Sequence, residues 1–193
     1  MLNGFFNKNQ LFKIGFRKIG KNCKIDRKAI FYNIDGELGD NVRIDAGSCI
    51  RGKLKIFNNV HIGSGVQISA NELVTIKEYA NISSYVTIYA HSDNFSSISI
   101  PSGTVKNKKL SNMYKKKITI GAFSIIGAHS TLLPGAEIGD FATVGSYVLI
   151  NKIIKNGHCV INKNILNNKI YKRKKFKHYI KYLKSLKKLK KNR

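Results

Sequence analysis

Five histidines are the side chains of this chain that can exchange a proton near neutral pH. An imidazole with a pKa near ~6.5 is mostly neutral at pH 7 and can take a proton from a poor nucleophile such as a hydroxyl. His91 stands apart from the others because it lies in Tyr89-Ala90-His91-Ser92-Asp93, directly before a long polar stretch. On the residues alone it is either an acid–base group or a loop histidine without a role. Asp93 likewise either orients His91 or caps a turn. His61 and His129 fall at outward-facing positions of a repeat, and His158 and His178 lie in the basic C-terminal part. None of these four is expected to be catalytic. His91 has no close histidine partner, so a three-histidine zinc site is not expected, and no metal is required. Cys23, Cys49 and Cys159 are far apart, with no Cys-x-x-Cys spacing. They read as three free thiols in a reducing compartment rather than as nucleophiles or ligands.

The elements that must position His91 are written in a six-residue period. Leu38, Ile44, Ile50, Ile56, Ile62 and Ile68 form one run, and Ile120, Ile126, Leu132, Ile138, Val144 and Ile150 a second. Ile76, Ile82 and Ile88 form a shorter third. A continuous helix needs a period near ~3.6 and a plain strand a period of ~2. Six fits short strands with a turn after each, wound into triangular coils. The aliphatic residue of each hexad points inward, and the Gly or Asp that often follows it tolerates the turn backbone. The predicted fold is therefore an all-β solenoid of hexapeptide repeats.

The phase breaks over residues 29–37, slips by two between Ile68 and Ile76, and is lost from Ile88 until Ile118 or Ile120. Three parts follow. Residues 1–18 are an N-terminal cap, which an open coil end requires. Residues 19–168 are the solenoid, with a polar loop inserted over 91–117 that is long enough to be functional. Residues 169–193 are a basic amphipathic helix or tail, with Phe176, Tyr179, Ile180, Leu183, Leu186 and Leu189 spaced three or four apart among lysines. The net charge of +25 comes from 35 Lys and Arg against 10 Asp and Glu and implies acidic partners, although an AT-rich codon bias accounts for part of it. No apolar run is long enough for a signal peptide or a membrane-spanning helix. Aromatic residues of the tail are at helical spacing, so packing against protein is expected and nucleic acid is disfavoured as a partner.

The repeat, the Tyr89–Asp93 segment, the loop, and Leu133-Pro134-Gly135 followed by Ile138-Gly139-Asp140 together resemble the hexapeptide-repeat acyltransferases, in the branch that O-acetylates sugars of surface polysaccharides. The resemblance covers about residues 19–152. It implies a left-handed parallel β-helix, a homotrimer, and acetyl-CoA as co-substrate in the groove between subunits. It implies His91 as general base, helped by Asp93. It places the cofactor at Ala128 and Ser146, each following an aliphatic-Gly pair, and at Asn151 and Lys152, where Lys152 would meet a CoA phosphate. The implied reaction is direct acetyl transfer to a sugar hydroxyl of a surface glycan or its precursor. Two other readings stand beside it: N-acetylation of an amino sugar on a nucleotide or lipid carrier, and a non-catalytic scaffold. The implied setting is the cytoplasm, with the tail in peripheral contact with an anionic membrane. Two departures bear on this. Ile165–Lys169 lacks the Gly-x-Pro-Ala-Lys segment that usually closes the family's solenoid, and Ser84-Tyr85 stands where an Asn often precedes the histidine.

Overall fold

Aliphatic side chains six residues apart can all be buried only if the chain turns after each short strand. The computed structural model, which describes residues 4–93, 113–164 and 167–172, has this arrangement. Three faces wind around one apolar column, and each inward position stacks on its equivalent in the next coil. The first face stacks Ile25, Ile44, Ile62, Ile82, Ile126, Val144 and Val160. The second stacks Ile50, Ile68, Ile88, Leu132 and Ile150. The third stacks Ile19, Leu38, Ile56, Ile76, Ile120, Ile138 and Ile154. Apart from Ile19 at 7 %, every one of these residues is at most 2 % exposed, so the column is dry along its length. All the strand pairs that make it are parallel, which is why the strands read as aliphatic without a polar alternation of their own.

Irregularities in the period are bulges at the corners. Strands β3 (Ile30–Leu38), β5 (Cys49–Ile56) and β7 (Gln67–Ile76) each run continuously around the same corner. Residues 29–37 therefore do not interrupt the coil. The one extra residue is accommodated where the β3–β5 register shifts between Tyr32 and Ile34, with Asn33 in the left-handed region at φ 52°. Asparagine tolerates that backbone better than most residues. The slip of two after Ile68 is a register shift between Gly52 and Leu54 against β7, as the eight-residue spacing predicts.

Two corners carry ladders of left-handed residues. Along one, Asn22, Asn41 and Asn59 are linked by side-chain hydrogen bonds of 3.3 and 3.0 Å. The ladder continues as the stacked rings of Tyr79, Phe123 and Phe141, with centroids 4.7 and 5.0 Å apart. Along the other, Tyr85, His129 and Tyr147 stack with centroids 5.0 and 4.8 Å apart. Bulky residues at positive φ are strained, and the offsetting contribution of the stacked rings explains why the strain persists. His129 is therefore a corner residue within an aromatic stack.

The open end is covered by α1 (Lys8–Ile14), which begins with a reciprocal capping box between Asn7 and Gln10 and buries Leu11. At the other end, β19 (His158–Asn164) pairs antiparallel with β20 (Asn167–Lys172). The stretch from residue 169 thus opens as a strand, where a helix was expected, because it closes the last parallel edge of the first face. The remainder of the expected basic helix lies outside the described residues, as do residues 94–112 of the loop.

Candidate active site

Strand β9 (Thr87–Tyr89) is the last strand of the second face before the inserted loop. The loop's two feet form an antiparallel ribbon of β10 (His91–Ser92) and β11 (Tyr114–Lys115), with His91 opposite Lys115. Lys116 N–H donates to the Ala90 carbonyl at 3.1 Å and closes the base of the ribbon. Ala90 is fully buried, which fixes the backbone on one side of His91 and turns His91 outward, as Tyr89 is.

Outward residues of neighbouring strands form rows because the register is fixed by the core. One such row on the second face is Tyr32, Arg51, Ser69 and Tyr89. Arg51 is held in it at both ends of its guanidinium. Its Nε donates to Ser69 Oγ at 2.6 Å, and its Nη2 lies 3.3 Å from His91 Nε2. The guanidinium also sits 6.0 Å from the centre of the Tyr32 ring. Arginine only donates, so Nε2 of His91 is the acceptor and the neutral ring carries its proton on Nδ1. Nδ1 is buried and has no hydrogen-bond partner among the described residues. Burial lowers the pKa of His91, and the Arg51 charge lowers it further; the Ser69 carbonyl, close to the ring but outside hydrogen-bond geometry, and then Asp93 oppose this more weakly. Burial and the Arg51 charge both favour the neutral ring, and the Arg51 contact favours the Nδ1–H tautomer.

Asp93 is exposed, and its carbonyl accepts from Ser92 Oγ at 3.0 Å. Among the described residues the side chain bonded to the ring is Arg51, so Asp93 acts on His91 through charge alone. Arg51 is the residue that sequence reasoning missed. Gly52, directly after it, adopts φ 91°, and a Cβ there would lie 2.1 Å from the Ala70 carbonyl oxygen. That glycine lets the strand turn the corner immediately beyond Arg51.

Of the residues expected to hold the cofactor, Ala128 and Ser146 occupy equivalent turns one coil apart, between the first and second faces. Tyr147 N–H donates to the Ala128 carbonyl at 3.0 Å. The two turns approach so closely that a Cβ on Gly127 would lie 2.5 Å from Ser146 N. Asn151 and Lys152 are exposed at the corner between the second and third faces, the same corner from which the loop leaves after His91. Loop, Leu133-Pro134-Gly135 and Asn151-Lys152 follow one another along that edge. At strand spacings of ~4.8 Å, Lys152 is on the order of 10 Å from the coil that carries His91. The structure therefore brings His91 and Lys152 to one edge and sets Ala128 and Ser146 on the next, with the second face between them.

A second polar cluster lies on the first face. Asp45 accepts from Arg43 Nε at 2.6 Å and bonds His61 Nε2 at 2.8 Å, while His61 Nδ1 is 3.0 Å from Asn81 Oδ1. Both ring nitrogens of His61 are occupied by partners on the surface of the coil. Burial would raise the Asp45 pKa, but the bonds from His61 and Arg43 outweigh it and leave Asp45 below the usual carboxylate value. No group of three or more His, Cys, Asp or Glu is arranged to hold a metal among the described residues.

Comparison with known proteins agrees with this fold. No protein-family model matches the chain. The dTDP-4-amino-4,6-dideoxy-D-glucose acyltransferase of Escherichia coli is 34% identical over 152 residues, 77% of this chain and 79% of that protein. WbbJ of Escherichia coli strain K12, named for O-acetyl transfer in lipopolysaccharide biosynthesis, is 30% identical over 141 residues, 65% of this chain and 68% of that protein. Among solved structures, AntD, an N-acyltransferase from Bacillus cereus in complex with dTDP and 3-hydroxybutyryl-CoA, superposes with a TM-score of 0.86 at 30% identity, over 98% of this chain and 100% of that one. The chain belongs to the sugar acyltransferases of the hexapeptide-repeat family, and its fold is their left-handed parallel β-helix. It is an acyltransferase.

Proposed function

We propose that this enzyme transfers an acyl group from acyl-CoA directly to the amino group of an amino sugar carried on a nucleotide, with His91 as general base. The observation that carries this reading is the His91–Arg51 arrangement, a neutral imidazole with a defined tautomer at the foot of the loop. The AntD complex with dTDP and an acyl-CoA, matched over 98% of this chain, supports the choice of both substrates. In the reaction the acceptor nitrogen attacks the thioester carbonyl while His91 Nε2 takes the N–H proton. The C–N bond forms, the C–S bond breaks, and the CoA thiolate leaves and recovers the proton from the imidazolium. Ala128, Ser146, Asn151 and Lys152 would line the route of acyl-CoA along the second face, and Lys152 would meet a phosphate.

O-acetylation, the reading that the sequence favours, stays as the second possibility because of the similarity to WbbJ. An amine is the better nucleophile and asks less of the base, which suits a histidine whose lone pair is partly engaged by Arg51. The two products differ chemically: an ester is cleaved by hydroxylamine and an amide is not. Mass spectrometry of the product before and after hydroxylamine treatment distinguishes them, and a labile product would overturn N-acylation.

The proposed assembly is a homotrimer with acyl-CoA between subunits. Tyr147 and Ile153 expose 66% and 63% of their surface beside Ser146 and Lys152, which fits a cofactor groove completed by a neighbour. The basic tail is proposed to rest on an anionic membrane surface. Among the described residues no helix is long and apolar enough to cross a membrane.

A further inference from the structure

Arg51 is a part-buried cation without an anion. Among the described residues no carboxylate lies within ion-pair distance of it, although Arg17 and Arg43 each have one. It stands over a shallow cavity of about 270 Å³ whose lining includes Tyr32, Cys49, Gln67, Ser69 and Tyr89. The Tyr32 and Tyr89 rings, 43% and 39% exposed, stand at the two ends of the row that holds Arg51 and Ser69. The guanidinium is preorganised by Ser69 Oγ and by the Tyr32 ring, the arrangement in which arginine binds phosphate well. Its Nη2 meanwhile donates to the lone pair that His91 must use as a base.

We propose that the Tyr32–Arg51–Ser69–Tyr89 row is a phosphate subsite for the nucleotide part of the acceptor, and that a phosphate on Arg51 draws the guanidinium off His91 Nε2 and so frees the base. This rests on the reading above that the acceptor is nucleotide-linked. Phosphate is carried by both substrates, but acyl-CoA must bring its thioester end to His91, which leaves the acceptor's phosphates for Arg51. The consequence is a coupling between acceptor binding and base strength: the lone pair is engaged until the anionic acceptor arrives. Among the described residues the charged groups that act on His91 are Arg51, Asp93 and Lys115, and of these Arg51 is bonded to the ring. The tyrosines give the nucleotide flat, partly apolar surfaces on either side of the cation.

The test uses the full chain labelled with ¹⁵N-histidine, with dTDP and CoA added separately, and reads binding without turnover. In the free protein His91 should report the Nδ1–H tautomer with an acceptor-bonded Nε2. Saturation with dTDP should shift the Nε2 resonance away from the Arg51-bonded position. Arg51→Gln should weaken dTDP binding about 10- to 100-fold while CoA affinity stays within about twofold, because one charge-assisted bond is lost. Arg51→Lys, which keeps the charge without the fork, should fall between them and guards against a folding defect. Unchanged dTDP affinity in Arg51→Gln, or a loss confined to CoA, would overturn the proposal. Binding is separable from acyl transfer: dTDP binding through Arg51 in a protein that transfers nothing would sink the proposed reaction and leave the subsite standing.

Discussion

Arg51 Nη2 and His91 Nε2 lie 3.3 Å apart, although 40 residues separate them in the chain. The two meet because Tyr32, Arg51, Ser69 and Tyr89 share one outward row, and His91 follows two residues after Tyr89. The contact ties the core register to the protonation state of His91.

Replacing His91 by Ala should lower kcat by on the order of 10², the low end for loss of a general base because an amine asks less of it, with little change in acyl-CoA affinity. Steady-state kinetics paired with a direct CoA-binding measurement checks this. Activity within about threefold of wild type would remove His91 from the mechanism.

His91 should titrate below the ordinary histidine value of 6.5, since burial and then Arg51 disfavour its charged form. The sign is that the ring stays neutral, and so able to act as a base, to lower pH than a free histidine. Arg51→Gln should move the midpoint upward. An NMR titration of the ring carbons measures both, and a wild-type midpoint above that of the variant would contradict the assignment.

Ile62 is fully buried and stacks between Ile44 and Ile82. Ile62→Ala should cost about 2–5 kcal/mol of stability through lost burial and the cavity left behind. Gly52→Ala should also destabilise, because its Cβ would collide with the Ala70 carbonyl, and it should reduce activity by displacing Arg51. Chemical denaturation of each variant beside an exposed control, Lys24→Ala, reads the difference.

Sedimentation equilibrium should return about three times 21.7 kDa for the purified chain. A monomer that retains activity would exclude a site built between subunits. For the tail, vesicle co-sedimentation should compare the full chain with one ending at Lys172, since β20 runs to that residue and pairs with β19. Of the thirteen Lys and Arg from Lys169 to Arg193, eleven lie beyond Lys172. Each basic residue near an anionic leaflet contributes roughly 1 kcal/mol, so only the full chain should pellet with acidic vesicles. Equal binding by both would contradict the membrane role.

The fold was legible because six-residue periodicity is a property of inward positions, and every aliphatic residue of the three runs from Leu38 to Ile150 is buried in the column. The two-residue slip before Ile76 was legible for the same reason. Asn33 was not, because one inserted residue looks like a lost phase until the neighbouring strand shows the register returning. His91 was legible from its place before the loop. Arg51 was not, since it follows Ile50 where other repeats carry Gly or Asp and reads as a surface arginine. Stepping one coil forward from Arg51 to Ser69, and then across the two-residue bulge to Tyr89, would have placed it beside the histidine. The strand nature of residues 169–172 was hidden by helical spacing further along, where the antiparallel pairing with β19 does not appear in a period.

The central claim is tested most directly by thiol release from acetyl-CoA or 3-hydroxybutyryl-CoA, measured with a dTDP-linked 4-amino sugar and with its 4-hydroxy counterpart. The account predicts stoichiometric thiol release with the amino sugar, a product heavier by one acyl group and stable to hydroxylamine, and far slower release with the hydroxy sugar. Release with the hydroxy sugar at an equal or greater rate, or none with either under conditions where both substrates bind, would contradict it.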